Sequence, residues 1–435
     1  MNKLIYSLFL SVFFLDFLHS DLGVLPRIAT WFPEILSVFA FAITAIGFGV
    51  KKGLVINFKY IYLFLLFFTI IFLGILLNFT PSGEIFVGIR SHFKHIPFFL
   101  LPAVYDFSTK QFKNQLLFIF PLLILQCPIA LIQRIYFIQK KIFTGDVITG
   151  TLSGSGTLSI VMICSMAVVF AFYLRKRVGF GFFLFTAGCL FLPAAINETK
   201  ITIFILPAAF LLPTFLNQGH MSSARVKKLL VMSIFTILSI SGFVMVYDYM
   251  TTFNPSFRGK HPDILEFFRD RDTLKSYFYK GADGEPSDDL RRLDTFVLTY
   301  RHLAEDFKSF SFGLGMGSAT PSYFGSLQDM SNKASQYGVE NLALTYLFWE
   351  FGLLGVIVYT CFFVFLLKDA LVLKECDDIF GAFALGWCPV IIIIGICLFY
   401  TNIVILNVLN LLFWYFSGVI AAKTCKMKKN MVQTA

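Results

Sequence analysis

Charge is what this chain has least of. Lys, Arg, Asp and Glu make up 14% of its 435 residues, against about a quarter in an average soluble chain. Without that charge to coat its surface, a water-soluble globular protein is excluded. Histidine is also sparse: the six, at positions 19, 92, 95, 220, 261 and 302, fall into no metal-ligand spacing. There is no G-x-S-x-G, H-E-x-x-H or Walker sequence, and no internal repeat, low-complexity tract or heptad seam. Cysteine offers no disulfide framework. Cys127, Cys164, Cys189, Cys361, Cys388 and Cys397 lie in apolar stretches, and Cys376 and Cys425 in short charged segments beside Lys; the one long polar segment has none.

Apolar residues dominate: 57% of the chain, with 56 Phe and a mean hydropathy of +0.76. The net charge of +10 comes from Lys and Arg in twos and threes between long apolar runs, the spacing of a membrane protein rather than of a nucleic-acid binder. A bilayer core needs about 20 apolar residues per helix. Twelve segments qualify, near residues 4–18, 30–50, 59–79, 86–106, 112–134, 153–174, 179–196, 200–216, 227–247, 341–367, 380–400 and 402–422. The expected fold is all-α, a polytopic integral membrane bundle of about twelve transmembrane helices. Lys3 and the run from Leu4 to Leu15 look like a signal sequence, but no small-x-small cleavage site follows, so an uncleaved first helix is expected.

Lys and Arg set the orientation. With the amino terminus inside, the inside connections hold 18 of them and the short outside ones only five: Arg27, Arg134, Lys140, Lys141 and Lys200. Both termini are therefore expected in the cytoplasm. Residues 1–247 carry nine spans, 248–340 a large loop outside the cytoplasm, 341–424 three more spans, and 425–435 a cytoplasmic tail. The loop has 14 acidic and 11 basic residues in 93 positions. Its Pro, Gly and scattered aromatics suit short helices lying over the bundle.

Several residues could carry chemistry. Arg90 and Lys94, in GEIFVGIRSHFKHIPFFLLP, share one helix face, and a buried cation in a membrane is costly enough to indicate either function or a paired partner; the bland alternative is snorkelling to the headgroups. Asn197 to Lys200, NETK, is a polar break between two short spans. There Lys200 either receives an anionic group or, with Glu198, is solvated in a tight turn. Arg291 and Arg292, in SDDLRRLDTF, suit bidentate phosphate binding or a local salt-bridged helix. In FGLGMGS, Gly315 and Gly317 could present backbone N–H groups to an anion. Glu340 is either a general base at a helix mouth or an ordinary helix-start acid. Glu350, deeper in the same span, reads as a buried hydrogen-bonded residue. Asp270 and Asp272 form a D-x-D pair, but no metal site is expected.

Read in order, these pieces resemble the bacterial O-antigen polymerase and O-antigen ligase superfamily. The resemblance covers most of the chain. It rests on twelve spans with one large loop between the ninth and tenth, the Arg-bearing fourth span, GTLSGSGTLSIVM opening the sixth, NETK, an Arg followed by an aromatic-rich helix, FGLGMGS, and ENLALTYLFWEFGLLG. It implies a metal-independent, cofactor-free membrane glycosyltransferase of the bacterial inner membrane, with a periplasmic loop. Its donor would be oligosaccharide on undecaprenyl pyrophosphate, transferred with inversion into O-antigen, capsule or exopolysaccharide. The implied site has Arg90, Lys94, Lys200, Gly315 and Gly317 on the pyrophosphate and Glu340, Arg291 and Arg292 in catalysis. Implied partners are membrane lipids, a flippase and a chain-length regulator, and no nucleic acid. Ligases typically carry His where this sequence has Glu340, which favours the polymerase branch. A ligase acting on lipid A core, a cell-wall-type glycan polymerase and, from another class, a lipid-linked oligosaccharide flippase are the alternatives.

Overall fold

The computed structural model describes residues 1–51, 53–217, 223–251, 264, 269–279, 291–320 and 333–434, and these contain helices and no strand. Nine helices among them are long and apolar enough to cross a membrane, the architecture of a multi-pass membrane protein. The chain runs through α1 (Asn2–Asp16), α2 (Phe32–Lys51), α3 (Phe58–Asn78), α4 (Ser82–Phe93), α5 (Ile96–Val104), α6 (Thr109–Ile124) and α7 (Gln126–Gln139). It continues through α8 (Ser155–Leu174), α9 (Phe180–Ile196), α10 (Ile201–Leu216) and α11 (Ser223–Thr251). Three short helices follow, α12 (Arg271–Phe278), α13 (Arg292–Ala304) and α14 (Phe307–Phe312), and then α15 (Ala343–Leu373), α16 (Ile379–Cys397) and α17 (Asn407–Thr434).

Helices that are apolar all round belong inside, and α8, α16 and much of α17 form the centre of the bundle. Around them α2, α3, α9 and α11 leave Val38, Phe41, Phe72, Phe185 and Leu238 exposed, as surfaces that face lipid do. Phenylalanine fills the interior. Trp414 of α17 meets Phe99 and Phe362 edge-on, each at 5.6 Å between ring centres, contacts worth about 0.5–1.5 kcal/mol beyond the area they bury. Where α17 crosses α5, Gly418 lets the backbones touch: a Cβ there would lie 2.2 Å from the Phe99 carbonyl oxygen.

The expected spans change in two places, and the two short ones are found as expected. The segment expected at 86–106 is two helices, α4 and α5, broken at Lys94 and His95. Pro97 in the first turn of α5 explains the break, since it has no N–H to continue the ladder and its ring would meet a carbonyl of the preceding turn. The segment expected at 112–134 is the longer run 109–139 of α6 and α7. With 17 and 16 residues, α9 and α10 are each only about 25 Å long.

The loop also departs from expectation. Residues 312–318 do not lie over the bundle but run into it, between α3, α4 and α15. Leu314 N–H donates to the Trp349 carbonyl at 2.7 Å, and Asn78 Nδ2 donates to the Gly313 carbonyl at 2.9 Å. The insertion opens α15 at Gly352, which has φ +66°. The freed Trp349 carbonyl is the one Leu314 satisfies.

The charges collect at the two ends of the bundle. At one end Asp369 takes Lys59 at 2.7 Å and the Tyr60 hydroxyl at 2.7 Å. Asp106 takes Lys423 at 2.6 Å and also Lys426, and Arg177 pairs with Asp377 at 3.1 Å. Lys59, Arg177, Lys423 and Lys426, four of the cations counted in inside connections, therefore lie at the same end. At the other end lie the turns around residues 144–156, 197–200 and 398–402 and the start of α15.

Candidate functional site

A cavity of about 590 Å3 opens at that second end, lined by residues from eight separated stretches of chain. Among them are Lys200, Arg291 and Arg292, three of the cations that the sequence singles out. Four helix N-termini border it: Ser155 begins α8, Lys200 precedes α10, Arg292 begins α13, and Asn341 stands just before α15. Such termini carry partial positive charge; at α15 the first N–H groups, of Ala343 and Leu344, donate to the Thr401 and Leu398 carbonyls at 3.2 and 3.0 Å, so there the field and not a bare donor favours an anion.

The NETK break builds one wall, and its four residues do four different things. Asn197 is fully buried; its Nδ2 donates to the Ser155 carbonyl at 2.8 Å and its Oδ1 accepts from Ser159 Oγ at 3.0 Å, which fixes the turn against α8. Glu198 adopts φ +59°, a left-handed conformation uncommon outside glycine. That turn aims its carboxylate inward, where Oε1 accepts from Arg134 Nη2 at 2.7 Å and Oε2 from the Gly145 N–H at 3.1 Å. Thr199 lines the cavity, and Lys200 reaches into it. Burial raises the Glu198 pKa, with Arg134 and the Gly145 N–H opposing. Burial lowers that of Lys200, with Asp146 opposing and Arg292 adding to the shift.

A chain of cations and rings crosses the cavity. The Lys200 ammonium lies 4.6 Å from the Tyr277 ring centre, and the Arg292 guanidinium lies 5.2 Å from Tyr277 and 4.4 Å from Tyr400. Arg292 Nε also donates to the Tyr400 carbonyl at 3.0 Å. These contacts hold Arg292 in place while leaving guanidinium N–H groups for a ligand. The Glu198 carboxylate is offset by Arg134, so among the described residues three cations stand against the carboxylate of Asp146.

The other predicted residues lie elsewhere. Arg90 donates through Nε to Glu34 at 2.8 Å and stacks 4.6 Å from the Trp31 ring centre; its charge is paired with a carboxylate, and it is not among the residues lining the cavity. Lys94 ends α4, and its carbonyl accepts the Ser37 hydroxyl. Gly315 and Gly317 are not among the residues lining the cavity. They are packed shut, a Cβ on Gly317 falling 2.0 Å from the Glu84 carbonyl oxygen and one on Gly315 falling 2.1 Å from Thr80 Oγ1. Glu340 accepts the Ser335 hydroxyl at 3.0 Å and is not in the cavity wall, although its neighbour Asn341 is. Asp270 caps α12 by accepting the Asp272 N–H at 3.1 Å, and no cluster of three metal-ligating residues occurs among the described residues.

Sequence reasoning missed two parts of this region. Arg134 counts there as a cation of a short outer connection, but it lies within α7 and is buried against Glu198. Asp146, in the cavity wall, stands alone in sequence as the one acid between Asp106 and Glu198. A separate buried cluster joins α4 to α15. His92 Nε2 and Glu350 Oε2 are 2.6 Å apart, while Glu350 Oε1 accepts the Ala319 N–H at 3.1 Å and the Thr320 hydroxyl at 2.9 Å. Glu350 thereby pins the inserted segment. No protein-family model and no curated protein matches the chain.

Proposed function

We propose that this protein joins lipid-pyrophosphate-linked oligosaccharide repeat units into a surface polysaccharide, by inverting glycosyl transfer at the cavity that holds Lys200, Arg291 and Arg292. The convergence of those three cations at four helix N-termini carries the reading. If α4 with α5, and α6 with α7, each count as one crossing, the chain has twelve. Both termini are then cytoplasmic, and the cavity opens on the periplasmic face of the inner membrane. The loop 248–340 contributes Tyr277, Arg291 and Arg292 to the cavity from that side.

The chemistry needs little more. An acceptor hydroxyl attacks the anomeric carbon as the bond to the lipid pyrophosphate breaks, and charge builds on the departing phosphate oxygens. Cations fixed in the cavity wall stabilise that charge with no reorganisation at the moment of reaction. Tyr277 and Tyr400 offer ring surfaces of the kind sugars stack on. Membrane lipids, a flippase and a chain-length regulator are the partners this reading proposes.

The surface glycan of a deletion strain tests the assignment. Single repeats on lipid A core, restored to polymer by the unaltered gene but not by Arg292→Ala, are expected. Bare core with polymer still on its carrier would instead indicate a ligase, and repeats trapped inside the cell a flippase.

A further inference from the structure

We infer that Asp146 is the general base of this reaction, an assignment that rests on the glycosyl-transfer reading above. Among the described residues two carboxylates line the cavity, Asp146 and Glu198. Glu198 already uses both oxygens, on Arg134 and on Gly145. Protonating it would strand the guanidinium of Arg134, whose side chain is 4% exposed, and an unpaired buried charge is strongly unfavourable. Glu340 stands outside the wall. Asp146 is exposed to the cavity, and its one side-chain bond among the described residues is a long one, 3.4 Å, from Thr144 Oγ1. It can therefore take a proton without breaking an ion pair.

Its position is built rather than accidental. Asp146 sits in the short helical turn Gly145–Val147, capped by Thr144 Oγ1, which accepts the Asp146 N–H at 3.3 Å. Gly145 presses that turn against the NETK break, a Cβ there falling 2.7 Å from the Asn197 carbonyl. The Gly145 N–H bond to Glu198 locks the two together. The clamp of Arg134, Glu198 and Gly145 thus holds Asp146 on the wall from which Lys200 projects. Lys200 feels the opposite charges of Asp146 and Arg292, so one cavity presents a free carboxylate and the cations for the leaving group. In the step, the acceptor O–H bond breaks toward Asp146 Oδ, the acceptor oxygen bonds to the anomeric carbon, and the electron pair of the anomeric C–O bond leaves with the pyrophosphate.

The test uses the full-length chain in lipid nanodiscs with a lipid-pyrophosphate-linked repeat unit, measuring polymer formation across pH and donor binding separately. Asp146→Asn is expected to lower turnover about 10²–10⁴-fold and to remove the acidic limb of the kcat/KM profile. Donor binding should be unchanged or tighter, because a negative charge beside the pyrophosphate is gone. Asp146→Glu should keep part of the turnover and the acidic limb. Normal turnover by Asp146→Asn while Arg292→Ala is inactive would overturn the base and leave the polymerase reading standing. A loss confined to donor binding would overturn it equally. No polymer from the unaltered chain would overturn the polymerase reading and the base with it.

Discussion

Replacing Arg134 by Gln would leave the Glu198 carboxylate buried with one backbone N–H as its partner. Both side chains of the pair are nearly inaccessible, at 4% and 10% exposed, with 2.7 Å between Nη2 and Oε1. Removing one member of a buried pair typically costs about 3–5 kcal/mol, mostly from the charge left behind. Glu198→Gln should cost a similar amount by stranding the guanidinium. The double variant strands neither, since the two new amides can bond to each other and the amide oxygen introduced at position 198 can still accept the Gly145 N–H. A coupling of about 1–3 kcal/mol is therefore expected between the two changes. Thermal unfolding of the four proteins in detergent, followed by Trp fluorescence, measures it, and a double variant as unstable as the sum of the singles would refute the reasoning. The pH dependence has a definite sign. Burial holds the Glu198 pKa above its ordinary value, so the folded state binds that proton more tightly than the unfolded chain. The favourable contribution is complete below the unfolded pKa and fades as pH rises through the folded one. Arg134 opposes that rise, so without it the fading is larger. The deficit of Arg134→Gln against the unaltered protein should grow as pH rises above the ordinary carboxylate range, and a deficit independent of pH would count against an ionised Glu198.

Gly317→Ala should reduce the amount of folded protein in the membrane, since its Cβ would meet a backbone oxygen at 2.0 Å from a residue at φ +90°; left-handed strain alone costs about 1–2 kcal/mol, and normal yield with normal melting would contradict the packing described for residues 312–318. Glu350→Leu should destabilise by about 3–5 kcal/mol by leaving His92, the Ala319 N–H and the Thr320 hydroxyl without their acceptor, read as a lower melting temperature. Arg292→Lys keeps the charge but loses the planar contacts with Tyr277 and Tyr400, so donor binding should weaken although net charge is unchanged. Polymer formation should survive EDTA, because side-chain cations and helix termini neutralise the leaving group; loss on chelation, restored by magnesium, would point to a metal.

The sequence by itself determined the class of protein. Fourteen per cent charge across long apolar runs leaves a lipid-facing helical bundle as the solution, because in a bilayer each backbone polar group must be paired within its own segment. The spacing of Lys and Arg was as legible: Lys59, Arg177, Lys423 and Lys426, assigned together on charge counting, meet their acidic partners at one end of the bundle. Lys200, Arg291 and Arg292 were visible as polar interruptions, but their shared cavity was not. They lie about ninety residues apart, and only the packing of α8, α10, α13 and α15 brings their N-termini together. Composition and periodicity report which face of a helix is apolar and not which helix it meets. The same limit hid the glycines of FGLGMGS, which read as a loop able to cradle an anion. A glycine that bares its N–H to a ligand and one that admits a neighbouring backbone look alike in sequence, and the tertiary structure decided for the second by placing Glu84 and Glu350 against them. Asp146 shows the converse. One acid in a connecting turn carries no signal of its role, and its place beside Lys200 depends on Arg134 and Glu198 closing a buried pair across 64 residues of chain.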